Sequence, residues 1–408
     1  MIWDILIIGG GAAGLFAAVT AKGKNENLNI AIIERLDRVG KKLALTGNGR
    51  CNITNRRPDV SRYHGRQPQF VKTAFSRFTL ADTERFFCEL GTPIIYEGDK
   101  GFPASLQAAS VTDALRFRCD ESGVVTKCGQ RVTDLKKKGD LFSVITDKGE
   151  ERAKTVIVAG GMLSGGEKLG CDGSVYGIVK RLGIEGVSPS PAIVQLKTET
   201  DFVRQLKGIK VDAGATVLRD GKEVRRESGE VLFCDYGISG PPVLQLSGSC
   251  REGDTVSLDL MPNIEKSTLI DMLFSRRENL KNRKNDEFLS GFMNKRLGQV
   301  VIKRAGLSLG DDVSALSDGD IKAVAAQIKA FSLKVTGNTG FNNSQVTSGG
   351  LACREFDPET LMSKKIGGLF AAGEILDIDG DCGGFNLQWA WSSGYCAAMG
   401  AAEYVKGK

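Results

Sequence analysis

The chain opens on an unbroken apolar run, Ile5-Leu6-Ile7-Ile8, followed at once by Gly9-Gly10-Gly11-Ala12-Ala13-Gly14. A short apolar run ending in glycine reads as a strand buried on both faces, and the small residues after it as a helix beginning near Ala12. Asn29 to Ile33 repeats the buried-strand pattern and ends on Glu34. Leu141 to Ile145 and Thr155 to Val158 flank the turn Asp147-Lys148-Gly149 as a hairpin, and the second strand runs into Ala159-Gly160-Gly161. Period-two alternation marks Ala215 to Leu218, Glu230 to Phe233 and Thr255 to Leu260 as strands, with Arg219-Asp220-Gly221-Lys222 as a turn. From Glu265 to Ile302 the period becomes helical, with Leu289, Phe292, Met293, Leu297, Val300 and Val301 on one face. Val335-Thr336-Gly337 is expected to return the chain to its first domain, and a small-residue helix follows Gly383-Gly384. The fold class expected is α/β: a Rossmann-like domain in two segments around an insertion that begins near Ser188-Pro189-Ser190-Pro191.

Gly9, Gly11 and Gly14 fill the positions of G-x-G-x-x-G, where the first glycine makes the turn, the second admits a pyrophosphate and the third lets helix and strand pack closely. The anion then lies on the helix N-terminus, and Glu34 is placed to accept hydrogen bonds from ribose hydroxyls. A lone glycine triplet suits many turns, but strand, triplet, helix, strand and acid in this order point to an adenine dinucleotide. FAD is favoured over NAD as the resident nucleotide because cofactor-like motifs continue to the far end of the chain. The loop from Gly40 to Asn52 is glycine-rich and carries Lys42 and Arg50; Ala159, Gly160 and Gly161 form a second glycine approach. Gly373-Glu374 with Asp377, and Gly384-Phe385-Asn386-Leu387-Gln388 at a helix start, would serve the ribityl chain and the isoalloxazine edge. Ala13, Arg35, Leu43, Asn48, Gly49, Cys51, Arg131 and Val132 complete the expected cofactor contacts.

Composition narrows the chemistry. With one histidine, His64, in 408 residues, a histidine-based triad or metal site is excluded by counting, and no metal is expected. Ten cysteines without a C-x-x-C pair suggest reduced thiols and a cytoplasmic protein. No apolar run approaches membrane-spanning length, and the apolar start is read as a strand, not a leader. The 51 glycines exceed the usual share of about 7%. Net charge is +6, and ten basic residues against five acidic ones lie between Glu265 and Arg304. A solvated helix face accounts for this; an anion-guiding surface for RNA or a carboxylated substrate is the weaker alternative.

The segments Leu45-Thr46-Gly47-Asn48-Gly49-Arg50-Cys51-Asn52-Ile53-Thr54-Asn55, Tyr236-Gly237-Ile238-Ser239-Gly240-Pro241, Gln345-Val346-Thr347-Ser348-Gly349-Gly350 and Gly383-Gly384-Phe385-Asn386-Leu387-Gln388-Trp389 resemble those of the YhiN/BaiN-like flavoproteins, nearly end to end. The resemblance implies a glutathione-reductase-like FAD domain in two segments (1–187 and 336–408), an inserted β-barrel-like part (188–262) and a helical part (263–335). It also implies bound FAD and, for several members, NADH- or NADPH-dependent reduction of a conjugated C=C. Members differ in substrate: unsaturated 3-oxo bile acids, uracil in ribosomal RNA as a dihydrouridine synthase, or oxidation of a small amino-ketone. The chain departs from the family at Cys234-Asp235, where a Thr-His pair is common, and between Met162 and Gly173.

The expected reaction passes hydride from NAD(P)H to flavin N5 and on to the β-carbon of an enone-type small molecule, while the protein holds the enolate oxygen and supplies a proton. Tyr236, Tyr96, a cysteine and water are the candidate donors, with Tyr236 chosen for its family-like segment, although a core tyrosine fits equally well. Arg50 is the other candidate catalytic residue, placing positive charge near the flavin or a substrate carboxylate; it could equally tie two loops together. Cys51 and Cys382 read as packed thiols. Substrate identity, NADH against NADPH and oligomeric state are left open by the sequence.

Overall fold

The computed structural model describes residues 1–407. Two units divide it, one made of 1–191 with 341–407, the other of Ala192–Gly340.

In the first unit Ile5 to Ile8 are almost fully buried at the centre of a seven-stranded sheet. Its order is Val125–Lys127, Ile30–Ile33, Ile2–Ile8, Gly149–Val158, Leu141–Thr146 and Val132–Lys138, with Leu369–Ala371 also pairing Gly149–Val158. The long strand Gly149–Val158 joins two patterns: Gly149 to Ala153 pairs antiparallel with the hairpin partner, whereas Val156 to Val158 pairs in parallel with Leu369 to Ala371. Register sets where these strands end. Ile8 lies opposite Ile33 and Val158, and Val158 opposite Ala371, so the parallel strands finish level. Gly9, Glu34, Ala159 and Ala372 therefore leave the sheet at one edge, the carboxyl end where open α/β sheets take ligands. The first helix, Ala12–Lys24, packs on the last, Phe385–Lys406. Small residues allow the approach: a Cβ added at Gly394 would lie 3.0 Å from the Ala13 carbonyl oxygen.

The second unit holds a closed six-stranded barrel of Leu196–Thr198, Gly237–Ser239, Lys222–Phe233, Lys210–Arg219, Thr255–Asp259 and Phe331–Asn338. Alternate residues Ala213, Ala215 and Val217, and Val256 and Leu258, face inward as period two requires. Helices Lys266–Asn279, Lys295–Arg304 and Asp318–Lys329 share one apolar cluster with the barrel.

Two sequence expectations are corrected here. The helical stripe from Glu265 to Ile302 is broken between Leu280 and Asn294. Gly291 takes φ +89°, and the Asn294 side chain caps a new helix by accepting from the Arg296 N–H at 3.0 Å, so Leu289, Phe292 and Met293 precede that helix. Val335-Thr336-Gly337 still belong to a barrel strand, Gly337 pairing with Lys197, and the chain leaves the unit only after Gly340. Among the described residues no helix is long and apolar enough to cross a membrane.

Candidate functional site

The three fingerprint glycines separate by what surrounds them. A Cβ at Gly9 (φ +106°) would sit 2.5 Å from the Ala159 carbonyl oxygen, and one at Gly14 2.0 Å from that of Gly9. Both are required by the chain's own packing. At Gly11 nothing lies within 4 Å, so its missing side chain leaves open space over the first helix, whose first turn carries no side-chain cap and no acid. Ala13, 6% exposed, packs against Gly373, where an added Cβ would lie 2.9 Å from the alanine methyl group. Glu34 is held in place: Oε2 accepts from Gly10 N–H at 2.9 Å and Oε1 from Leu36 N–H at 2.8 Å. Beside it Gln130, which the sequence reading missed, donates its N–H to the Glu34 carbonyl at 3.0 Å while its own buried Oε1 has no partner. Arg35 and Arg131 converge on Asp172 at 2.6 and 2.7 Å. Burial would raise that carboxyl, but bonds from Ser174 and Arg35 hold it below the usual range. The Val132 side chain packs into the core.

In the second loop, Asn48 and Cys51 adopt φ +55° and +57° beside Gly47 and Gly49. Non-glycine residues held there store about 1–3 kcal/mol each and mark positions over-determined by their surroundings. Leu43 and Cys51 are buried, so only their backbone can meet a ligand, and burial pushes the Cys51 thiol up to about 12. Gly49 faces open space. The Arg50 guanidinium lies 4.4 Å from the Phe102 ring centre and pairs with Glu97. Lys42 and Glu374, both expected at the cofactor, bond each other at 2.6 Å; Ser164 Oγ and Thr347 N–H also donate to Glu374, at 2.5 and 2.8 Å. Burial works against the Lys42 ammonium, yet the Glu374 charge holds it above the usual lysine value. Gly160 sits against Val175, and Gly161 takes φ +64°.

The terminal loop closes over the same edge. Gly384 (φ +96°) begins the last helix without a side-chain cap, its Cα hydrogen side pressed on the Thr54 carbonyl. Phe385 packs on Tyr63, which donates to its carbonyl at 2.9 Å. The Asn386 carboxamide accepts from Gly380 N–H and donates to Gly380 O, both at 2.8 Å, so it shapes the loop. Gln388 is buried and bonded to Thr54, Thr83 and Ser392; its side chain ties the fold together and does not line an edge. Leu387 is half-buried against the core. Asp377 Oδ2 accepts from Arg66 N–H at 3.0 Å, and burial pushes its carboxyl up.

The sequence reading missed Asp379 and His64, brought together by a two-stranded pairing of Tyr63–His64 with Asp379–Gly380. The available signal was Asp377-Ile378-Asp379-Gly380-Asp381, three acids at spacing two beside a cofactor-like motif. Tyr236 belongs to the barrel unit, in the turn after Phe233; burial and a bond with Cys234 push its phenol up to about 12. Among the described residues no group of three or more His, Cys, Asp or Glu side chains is arranged to hold a metal ion.

The family model described as HI0933-like protein Rossmann domain matches residues 3–400. A 3-dehydro-bile acid delta(4,6)-reductase from Clostridium scindens is 34% identical over 404 residues, covering 97% of this chain and 98% of the relative. A ribosomal RNA dihydrouridine synthase from Haemophilus influenzae is 31% identical over 405 residues, covering 97% of each chain. Among solved structures, the 3-ketosteroid-delta4-(5alpha)-dehydrogenase from Rhodococcus jostii RHA1 shares the fold, with a TM-score of 0.52 at 16% identity over 98% of this chain and 96% of the other. With a Rossmann sheet, a glycine edge drawn from both ends of the sequence and a match along nearly its whole length, this chain belongs to the HI0933-like (YhiN/BaiN) family of flavoprotein oxidoreductases.

Proposed function

We propose that this chain is an FAD-dependent reductase of a conjugated C=C in an enone-type small molecule, with NADH or NADPH as electron donor. The observation that carries the reading is end-to-end similarity to a bile acid reductase, combined with an open strand-end edge built from both termini. The residues fit an FAD. Open space at Gly11 and an uncapped helix N-terminus suit its pyrophosphate. Glu34, with the unpartnered Oε1 of Gln130 beside it, suits the adenosine. The open side of Gly49, the unpartnered Oδ1 of Asn52 and the uncapped start of the last helix suit the flavin end. When bound, the flavin would accept hydride from the pyridine nucleotide and pass it to the β-carbon of the substrate. Arg50 would offer positive charge to the flavin or to a substrate carboxylate.

The test is anaerobic titration of the purified protein with NADH and NADPH, followed by a 3-oxo-Δ4 bile acid. Bleaching of the flavin by one nucleotide and its recovery on adding the enone are expected. A flavin that neither nucleotide reduces rules the reading out.

Ribosomal RNA reduction is the second reading, favoured by the 31% identical relative. The basic segment gives it little support. Arg276 and Arg304 donate to backbone carbonyls, Arg277, Arg283 and Lys284 pair with Asp318, Glu287 and Asp312, and Lys303 bonds Gln205. Unchanged dihydrouridine in ribosomal RNA from a deletion strain, read by mass spectrometry, excludes this role.

A further inference from the structure

The carboxylates of the terminal loop are satisfied with one exception. Glu374 takes Lys42, Ser164 and Thr347 N–H; Asp377 takes Arg66 N–H; Asp381 takes His64 Nε2 at 2.8 Å and Arg62 at 3.3 Å. Asp379 is 3% exposed, with one oxygen toward Ser348 and Oδ1 without a partner. Leaving such an atom unpaired is costly, and native chains tolerate it where a ligand or reaction completes the bond. His64 stands directly opposite Asp379 in an antiparallel pair, which puts both side chains on one face within reach of each other. The His64 side chain is 40% exposed, so the couple runs from solvent to a buried oxygen.

We infer that Asp379 Oδ1 holds the proton delivered to the α-carbon of the substrate, and that His64, oriented by Asp381, replaces it from solvent. This rests on the reductase reading above. The O–H bond of Asp379 breaks as the α-carbon gains its hydrogen; the hydride at the β-carbon, and both electrons, come from the reduced cofactor. The carboxylate left behind takes a proton from the His64 imidazolium, which water then reprotonates. The charged groups facing Asp379 are His64 from the neighbouring strand, with Asp381 and Arg62 behind it, and Asp377, Glu374 and the Lys42 paired to Glu374 from its own side.

The acidity agrees with the geometry. Burial pushes the Asp379 carboxyl up to about 6, against the pull of His64, which matches a general acid to neutral pH better than a Tyr236 phenol near 12.

Because the chain has one histidine, its imidazole gives one Hε1 resonance, followed against pH in the flavin-loaded protein labelled with 13C-histidine. In wild type the resonance should show an inflection near 6 that Asp379→Asn removes. Asp379→Asn should retain flavin reduction by NAD(P)H and lose about 10²–10⁴-fold in turnover of a 3-oxo-Δ4 bile acid. His64→Gln, which leaves the acid in place without its cationic neighbour, should move the alkaline limb of the kcat profile to higher pH and lower its plateau. Superimposable His64 titrations in wild type and Asp379→Asn overturn the inference, as does turnover within about twofold of wild type. If Asp379→Asn does not fold, an unmoved alkaline limb in His64→Gln overturns it. Failure of NAD(P)H to bleach the wild-type flavin sinks the reductase reading instead, and leaves the resonance arm to judge the couple.

Discussion

The contrast between Gly11 and Gly14 separates a glycine kept for a cofactor from one kept for packing. At Gly11 the backbone is extended (φ −82°, ψ −166°) and a methyl group would meet no atom of the protein. Replacing glycine by alanine at such a position gains about 0.4–1 kcal/mol by restricting the unfolded chain, while alanine is the poorer N-cap by a comparable amount. These terms offset, so the flavin-free Gly11→Ala protein should unfold within about 1 kcal/mol of wild type. Affinity should behave otherwise, because the methyl group occupies the space assigned to the pyrophosphate. Losing two charge-assisted bonds to helix N–H groups, at about 1.5–3 kcal/mol each, weakens FAD binding by about 10²–10⁴-fold. Gly14→Ala forces a Cβ to within 2.0 Å of a backbone oxygen. That overpacking should cost about 1–3 kcal/mol, or about 2–12 °C in Tm, before any cofactor is added. Fluorescence titration of the flavin-free proteins with FAD, together with their thermal unfolding, reads both quantities. If Gly11→Ala binds FAD within about threefold of wild type, the pyrophosphate does not lie over Gly11 and the reasoning fails.

Buried groups give three further expected outcomes. Asp379, raised in the folded chain to about 6, binds a proton more tightly folded than unfolded, so stability is lost as pH rises from about 4 through 6. Asp379→Asn should flatten that slope and, in urea unfolding at pH 7.5, gain up to about 3 kcal/mol; an unchanged slope contradicts it. Cys51, buried with its thiol pushed up to about 12, should resist alkylation under native conditions while exposed Cys88 reacts. Peptide mass spectrometry after brief iodoacetamide treatment checks this. In the barrel unit Arg219 bonds the nearly buried Asp254 through two guanidinium nitrogens, at 3.0 and 2.8 Å. Arg219→Met removes both bonds and leaves the carboxylate with the Arg251 N–H alone, so the midpoint of denaturant unfolding should fall; an unchanged midpoint refutes it.

What the sequence disclosed was set by local sterics. Ile5 to Ile8 could only be a strand buried on both faces, and the glycines after it only a turn with close approach. The barrel strands announced themselves by alternation. What stayed hidden depended on partners far along the chain or on breaks that keep the apolar spacing. Leu289, Phe292 and Leu297 hold a helical period across Gly291 and Asn294, although a positive φ and a cap interrupt the helix between them. Lys42 and Glu374 each looked like a cofactor contact, and no local pattern reveals that they neutralise one another. Asp379 stood out only as one of three acids at spacing two, and nothing local distinguished it from Asp377 and Asp381 until pairing set His64 against it.

If one FAD is gripped jointly by the opening and closing segments of the polypeptide, the purified protein carries it. The decisive reading is the absorption spectrum of the purified protein, with the released cofactor identified and counted, in wild type and in Gly11→Ala, whose added methyl group meets no protein atom. Flavin bands from one FAD per chain are expected in wild type, and their loss in Gly11→Ala. A wild-type protein that stays colourless after incubation with excess FAD contradicts it.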